Sequence, residues 1–357
     1  MHTIRHFGRL RSPMRRQFCT VKSQDKLVTH SDQNGVRTLT MNNARRFNAW
    51  TPAMLEALFN EFNVAATDED IHVVILTGRG KYYCAGVDLA GVLKPMHPQT
   101  LHDLIYRNTK LLFDQFLDFP KPLIAAMNGP AIGAPVTTAA LCDALIMNEH
   151  ATLSTPFARL GVTPEGCSSV HFPRVMGETA ASRMLGPDSW TPTAAEAVEV
   201  GLAHRVVMET DDMKINAAAS NVDERSSKMS ELLLAEAQRV AESWIAEGRL
   251  HRSLPGQRRA ECGNKGIVDT MGAAKMGAEA TAARALLNEY KIVNDAECQE
   301  VARRFLGPDF LRAQVEFMSS KGKTRSAAIF KALLVLRPFW AMLLSENADV
   351  IRYKKSM

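Results

Sequence analysis

Three short stretches of this 357-residue chain hold residues whose types and order could do chemistry. In Tyr83-Cys84-Ala85-Gly86-Val87-Asp88-Leu89, which follows the turn Thr77-Gly78-Arg79-Gly80, Gly86 lets the backbone bend tightly and Asp88 can cap a following helix. In Asn128-Gly129-Pro130-Ala131-Ile132-Gly133-Ala134-Pro135, Pro135 suits a first helical position. The amide of Ala134 is then left at a helix start with no intrahelical partner. The third stretch, Thr155 to Ser169, places Glu165 directly after Pro164. Together these supply backbone N–H donors and one carboxylate able to carry a proton. Taken singly, each has a plainer reading: a turn leading into a helix, or an acid favoured at a helix N-terminus.

The elements that must position them follow from apolar spacing. Val36 to Met41 reads as a short strand and Asn42 to Asn48 as a polar, basic loop. Thr51-Pro52 form an N-cap and first helical residue, and Met54, Leu55, Leu58, Phe59 and Phe62 mark one buried helix face. Val73 to Leu76 is a continuous apolar run, as expected of a strand covered on both faces. The pattern recurs as a helix over about 101–118, a strand over Pro122 to Met127, a short helix, and a strand over Ala144 to Met147. Repeated strand–turn–helix units predict an α/β core. From about residue 224 the text turns helical, after a loop containing Asn216 to Lys228 and with a Gly/Arg-rich interruption at 248–266. The apolar stretch 327–345 is broken by Lys331, Arg337 and Pro338. It reads as a helix packed on its own protein or on a neighbouring subunit; its basic flanks permit a peripheral membrane contact instead.

In this order, the three stretches resemble the crotonase (enoyl-CoA hydratase/isomerase) superfamily. GRGKYYCAGVDL is similar to its first oxyanion segment and PKPLIAAMNGPAIGAP to its second, about fifty residues apart as in the family. The resemblance runs from about 36 to 207, through Thr193 to Ala197 and Gly201-Leu202, and fades over 208–285. It returns at Asn294 to Cys298, which looks like the family's trimerisation helices. It implies a crotonase-like fold of repeated ββα units with a helical C-terminal region. The expected division is a basic arm at 1–24, an acyl-CoA-binding core at 25–215, a helical oligomerisation region at 216–322 and a basic apolar tail at 323–357. It also implies an oxyanion hole made by the amides of Val87 and Ala134, with Ala85, Gly86, Asp88, Gly133 and Phe157 around the substrate. Charge gathers on a thioester oxygen when the neighbouring carbon loses a proton, and one donor placed there contributes roughly 3–4 kcal/mol. Arg45 and Arg46 fall in the loop where the family places basic residues near the phosphates and adenine of coenzyme A, although Arg46-Phe47-Asn48-Ala49 departs from the family's Lys-Asn-Ala.

The third stretch selects among reactions. Hydratases of the family carry two catalytic carboxylates, at positions that here hold Thr137 and Phe157. Dienoyl-CoA isomerases carry three, of which two are missing here. The remaining position is Glu165, and PEGCSS is very similar to the same segment of Δ3-Δ2-enoyl-CoA isomerases. One carboxylate is sufficient for that reaction, and apolar surroundings such as Phe157 and Val162 would raise its basicity. The resemblance implies no cofactor, since coenzyme A arrives as part of the substrate, and a homotrimer or hexamer. A hydrolase on the same oxyanion hole, or an idle acyl-CoA- or RNA-binding relative, are the competing readings.

Composition narrows the rest. Residues 1–24 hold six basic residues and no acid, and 321–357 hold eight against two, so the body between them is net negative within a chain of net charge +5. An acidic body with two basic ends is not the footprint of a nucleic-acid-binding protein. The arm has the composition of a mitochondrial transit peptide, with Arg16-Gln17-Phe18 before Cys19 resembling a matrix-peptidase site, and so predicts the mitochondrial matrix. The C-terminal Lys355-Ser356-Met357 does not match the peroxisomal pattern. Six scattered cysteines without metal-ligand spacing read as reduced thiols, and no metal is expected.

Overall fold

Strands rich in aliphatic side chains on both faces can only sit in the middle of a layered structure. The computed structural model, which describes residues 26–88, 96–215, 222–252 and 273–344, places them there. Strands β1 (Val28–Gln33), β2 (Val36–Met41), β3 (Val73–Gly78), β4 (Leu123–Met127), β6 (Ala144–Asn148) and β8 (Arg205–Val207) form one sheet in the order β1-β2-β3-β4-β6-β8. Only β1 runs antiparallel to its neighbour. Two short strands, β5 (Ala131–Ile132) and β7 (Leu153–Ser154), pair with each other in a second layer.

Alternate residues of β3 serve two cores, as the period of a strand demands. Val74 and Leu76 face one core with Met54, Leu58 and Phe62 of α1 (Pro52–Thr67). Val73 and Ile75 face another, with Leu233, Ala237 and Ala241 of the later helix Val222–Ala246. Thr51 caps α1 by accepting the Met54 N–H, with Pro52 in the first turn.

The repeating unit is a main-sheet strand, a short strand or bridge in the second layer, and a helix. After β2 comes the bridge at Trp50 and then α1; after β3 come the bridges at Cys84 and Val87 and then α2 (Pro98–Leu117). Strands β4 and β5 lead into α3 (Ala134–Ala140). Beyond β7 lie α4 (Ser168–Met176), α5 (Glu178–Leu185) and α6 (Ala194–Glu199), then β8, α7 (Asp211–Ile215) and α8 (Val222–Ala246). The C-terminal helices are α9 (Ala273–Phe305), α10 (Pro308–Ser320) and α11 (Thr324–Trp340).

Some expectations are corrected. Strand β1 is absent from the sequence reading because VTHSDQ buries only Val28, although Asn34-Gly35, both at positive φ, mark its hairpin turn. The expected loop of 216–228 is helical from Val222, where Lys228 pairs with Glu224 one turn away. The apolar stretch from 327 is helical as expected, and α11 runs on through Lys331, Arg337 and Pro338. It packs on α10 through Ala327 and Phe330, while Arg337 donates to the Leu306 carbonyl at 3.0 Å. Val335, Leu336, Phe339 and Met342 remain exposed. The arm 1–24, Leu89, 216–221, 253–266 of the Gly/Arg-rich interruption and the last residues from 345 lie outside the described residues.

Candidate active site

The first two stretches are zipped together. The Tyr83 N–H donates to the Pro130 carbonyl and the Ile132 N–H to the Cys84 carbonyl, both at 3.1 Å, and Cys84 bridges Ala131 in parallel. Val87 and Ala134 each lie three residues beyond that bridge, on adjacent chains running in the same direction. The bonds around Val87 run from the Trp50 N–H to Gly86 and from the Asp88 N–H to Trp50, which leaves the Val87 N–H out of the ladder. Ala134 opens α3, so its N–H has no intrahelical acceptor. Among the described residues neither amide has a hydrogen-bond partner.

Buried asparagines set this geometry. Asn128 accepts the Gly78 N–H at 2.9 Å and donates to the Gly80 carbonyl at 2.7 Å. Asn48 donates to the carbonyls of Arg79 and Tyr82 at 3.0 and 2.8 Å. Gly86 has φ +98°, and a Cβ there would stand 3.0 Å from the Ile132 carbonyl oxygen, so both the turn and the close approach of the two chains require glycine.

Beside the amides opens a cavity of about 890 Å³, and Glu165 lies on its wall. Ala85, Gly86, Asp88, Gly133 and Phe157 line it too; Arg45 and Arg46 do not. Those two are exposed on a 3-10 turn, and Arg46 reaches Asp88 at 3.6 Å. Thr137 is buried and turned back into α3, donating to the Ala134 carbonyl at 3.1 Å, and Phe157 is a buried apolar wall. Glu56 and Asp88 are the other carboxylates on the lining.

Glu165 is half-buried on the cavity wall. The protein around it desolvates the charged form, and the negative charge of Glu297 adds to this; together they push its carboxyl up to about 8. Phe157 and Val162, expected from sequence to supply that setting, both line the cavity. Among the described residues no donor reaches the Glu165 carboxylate.

Sequence reasoning missed the far wall, which comes from the C-terminal helices: Phe305 of α9, Phe310, Gln314, Phe317 and Met318 of α10, and Lys323. Residues of the region expected to oligomerise, with Lys323 at the first position of the expected tail, thus help to enclose the cavity. The sequence there reads only as helical; nothing local says what its faces meet. Glu297 was also missed. Elsewhere Glu149, His150 and Glu209 converge within 4.8 Å, but Arg225 donates to both carboxylate oxygens of Glu209.

Comparison with known proteins agrees with the fold. Residues 31–251 match the family described as Enoyl-CoA hydratase/isomerase. An uncharacterised Caenorhabditis elegans protein, B0272.4, is 39% identical over 60% of this chain and 81% of its own length. The mouse peroxisomal enoyl-CoA delta isomerase 3 is 38% identical over 53% of this chain, which spans 59% of that relative. The crystal structure of an enoyl-CoA hydratase/isomerase from Pseudoalteromonas atlantica T6c superposes with a TM-score of 0.58, covering 83% of this chain and 98% of that one at 22% identity. With repeated ββα units, two unpaired amides at one cavity and a match over most of the chain, this protein belongs to the enoyl-CoA hydratase/isomerase family of enzymes.

Proposed function

We propose that the enzyme is a Δ3-Δ2-enoyl-CoA isomerase, with Glu165 as its single catalytic base. The observation that carries this reading is the distribution of acids. Burial raises the basicity of Glu165 on the cavity wall, while Thr137 and Phe157 stand where a hydratase would need carboxylates. In this reading Glu165 removes a proton from C2 of a 3-enoyl-CoA, and the electrons move into a dienolate whose charge rests on the thioester oxygen. The N–H groups of Val87 and Ala134 receive that oxygen, and their lack of protein acceptors makes them available to it. Glu165 then returns the same proton at C4, leaving the trans-2-enoyl product.

Ala85, Gly86, Asp88, Gly133 and Phe157 enclose the acyl thioester, and the exposed Arg45 and Arg46 meet the coenzyme A phosphates. Coenzyme A is part of the substrate, and no separate cofactor enters. The pathway served is β-oxidation of unsaturated fatty acids, in the mitochondrial matrix for an arm of this composition, with the enzyme assembled as a homotrimer or hexamer.

The test is turnover of trans-3-hexenoyl-CoA by the chain without its first 18 residues, beside Glu165→Gln. Trans-2-hexenoyl-CoA should form, and the variant should lose about 10²–10⁴-fold in kcat while still binding coenzyme A. Release of free coenzyme A would instead identify a hydrolase, a 3-hydroxyacyl product a hydratase, and binding without turnover a non-catalytic relative.

A further inference from the structure

The turn that carries Glu165 is held by a residue from the other end of the chain. Cys167, immediately before α4, has φ 61°, a conformation side chains with a Cβ rarely adopt. Its N–H donates to Glu297 Oε2 at 2.6 Å, and the N–H and hydroxyl of Ser169 donate to Glu297 Oε1 at 3.0 and 2.5 Å. The hydroxyl of Ser168 closes the turn on the Glu165 carbonyl at 2.8 Å. Helix α4 has no cap from its own preceding residue. Glu297, on α9 and 130 positions away from Cys167, takes that part. It is buried and is not on the cavity lining, so it does not meet a substrate there.

The placement matters because the first N–H groups of a helix stabilise a nearby carboxylate and weaken it as a base. Glu165 sits beside those groups but receives none of them. We infer that Glu297 is a positioning residue for Glu165: it takes up the N–H donors at the start of α4, fixes the turn, and leaves the Glu165 carboxylate without donors and facing the cavity. The inference deepens the isomerase reading and rests on it only in treating Glu165 as the base.

Other charged groups face the same place. From α2, Lys110 and Asp114 approach the turn as a pair at 3.0 Å, and Lys110 also lies 3.8 Å from Asp295 of α9. The thiols of Cys167 and Cys298 are both pushed up by burial and do not ionise near neutrality. Glu56, Asp88, Arg159 and Lys323 share the cavity lining. After desolvation, the charge that acts on Glu165 is that of Glu297.

The experiment follows the carboxyl carbons of 13C-labelled glutamate by NMR as pH is raised, assigning Glu165 through Glu165→Gln and Glu297 through Glu297→Gln. Glutamine at 297 keeps an acceptor oxygen but no charge, so the Glu165 midpoint should fall by roughly half a pH unit or more, and the acid limb of kcat/KM should fall with it. Glu297→Asp, which keeps the charge, should restore the wild-type midpoint more nearly than Gln does. In Glu165→Gln the Glu297 midpoint should stay near its wild-type value of about 7, because Glu165 still holds its proton where Glu297 loses its own. A Glu165 midpoint that stays fixed in Glu297→Gln, or a wild-type Glu165 carboxyl carbon that does not respond as Glu297 loses its proton near pH 7, overturns the inference. A shifted midpoint in a protein that leaves 3-enoyl-CoA unchanged keeps it and removes the isomerase reading instead.

Discussion

Glu165 pits usefulness as a base against the stability of the folded chain. Its carboxyl rises from 4.5 to about 8 on folding, so between those values the native state holds a proton that the unfolded chain has lost. Stability from this group is therefore full below about pH 4.5, declines as pH rises, and is gone above about 8. Glutamine at 165 has no charge to bury, so in urea unfolding Glu165→Gln should be stabilised over wild type far more at pH 9 than at pH 5, by on the order of a few kcal/mol. Equal differences at the two pH values would contradict the burial argument. The candidate base and the two amides were named from the family resemblance, whose motifs surround them, with Pro164, Gly86 and Pro135 each standing next to one of the three. Glu297 was not, because an acid inside Asn294-Asp295-Ala296-Glu297-Cys298 looks like any helix surface residue until folding brings α4 to it.

Elements show the same division between local and distant causes. Helix α1 was legible from its cap and its buried face, and β3 from its uninterrupted apolar run, whereas β1 is an edge strand whose exposed residues carry no period. The link between α8 and the sheet also lay beyond reach. Arg252, just past α8, donates to the Asp143 carboxylate at 2.9 Å and to the carbonyls of Phe116 and Leu141. Asp143 in turn accepts the Leu123 N–H at 3.0 Å at the start of β4, and its side chain is fully buried. Arg252→Ala would leave that carboxylate without its closest cation, with Arg249 at 3.9 Å as a weaker substitute. A loss of about 3 kcal/mol is expected in urea unfolding, at the lower end for a broken buried pair. A loss below about 1 kcal/mol would mean that Arg249 or water takes over.

At the scale of the molecule, the acidic body and basic ends set a charge pattern, and among the described residues no helix is long and apolar enough to cross a membrane. The α/β class was legible because strand and helix periods alternate along the first two hundred residues. The role of the C-terminal helices was not, since a cavity wall is defined by what stands opposite it. That wall makes the cavity a joint between two parts of the chain: Val87, Ala134 and Glu165 on one side, Phe310, Phe317 and Met318 on the other. By mass action, a molecule that fills the joint favours every state in which the joint is closed. Saturating acyl-CoA should therefore slow amide hydrogen exchange in α10 more than in β4, whose exchange already requires the sheet to come apart. Equal slowing in both would mean that the whole domain opens as one. Unequal slowing would make the C-terminal helices a clasp whose grip is set by the concentration of the molecule it holds.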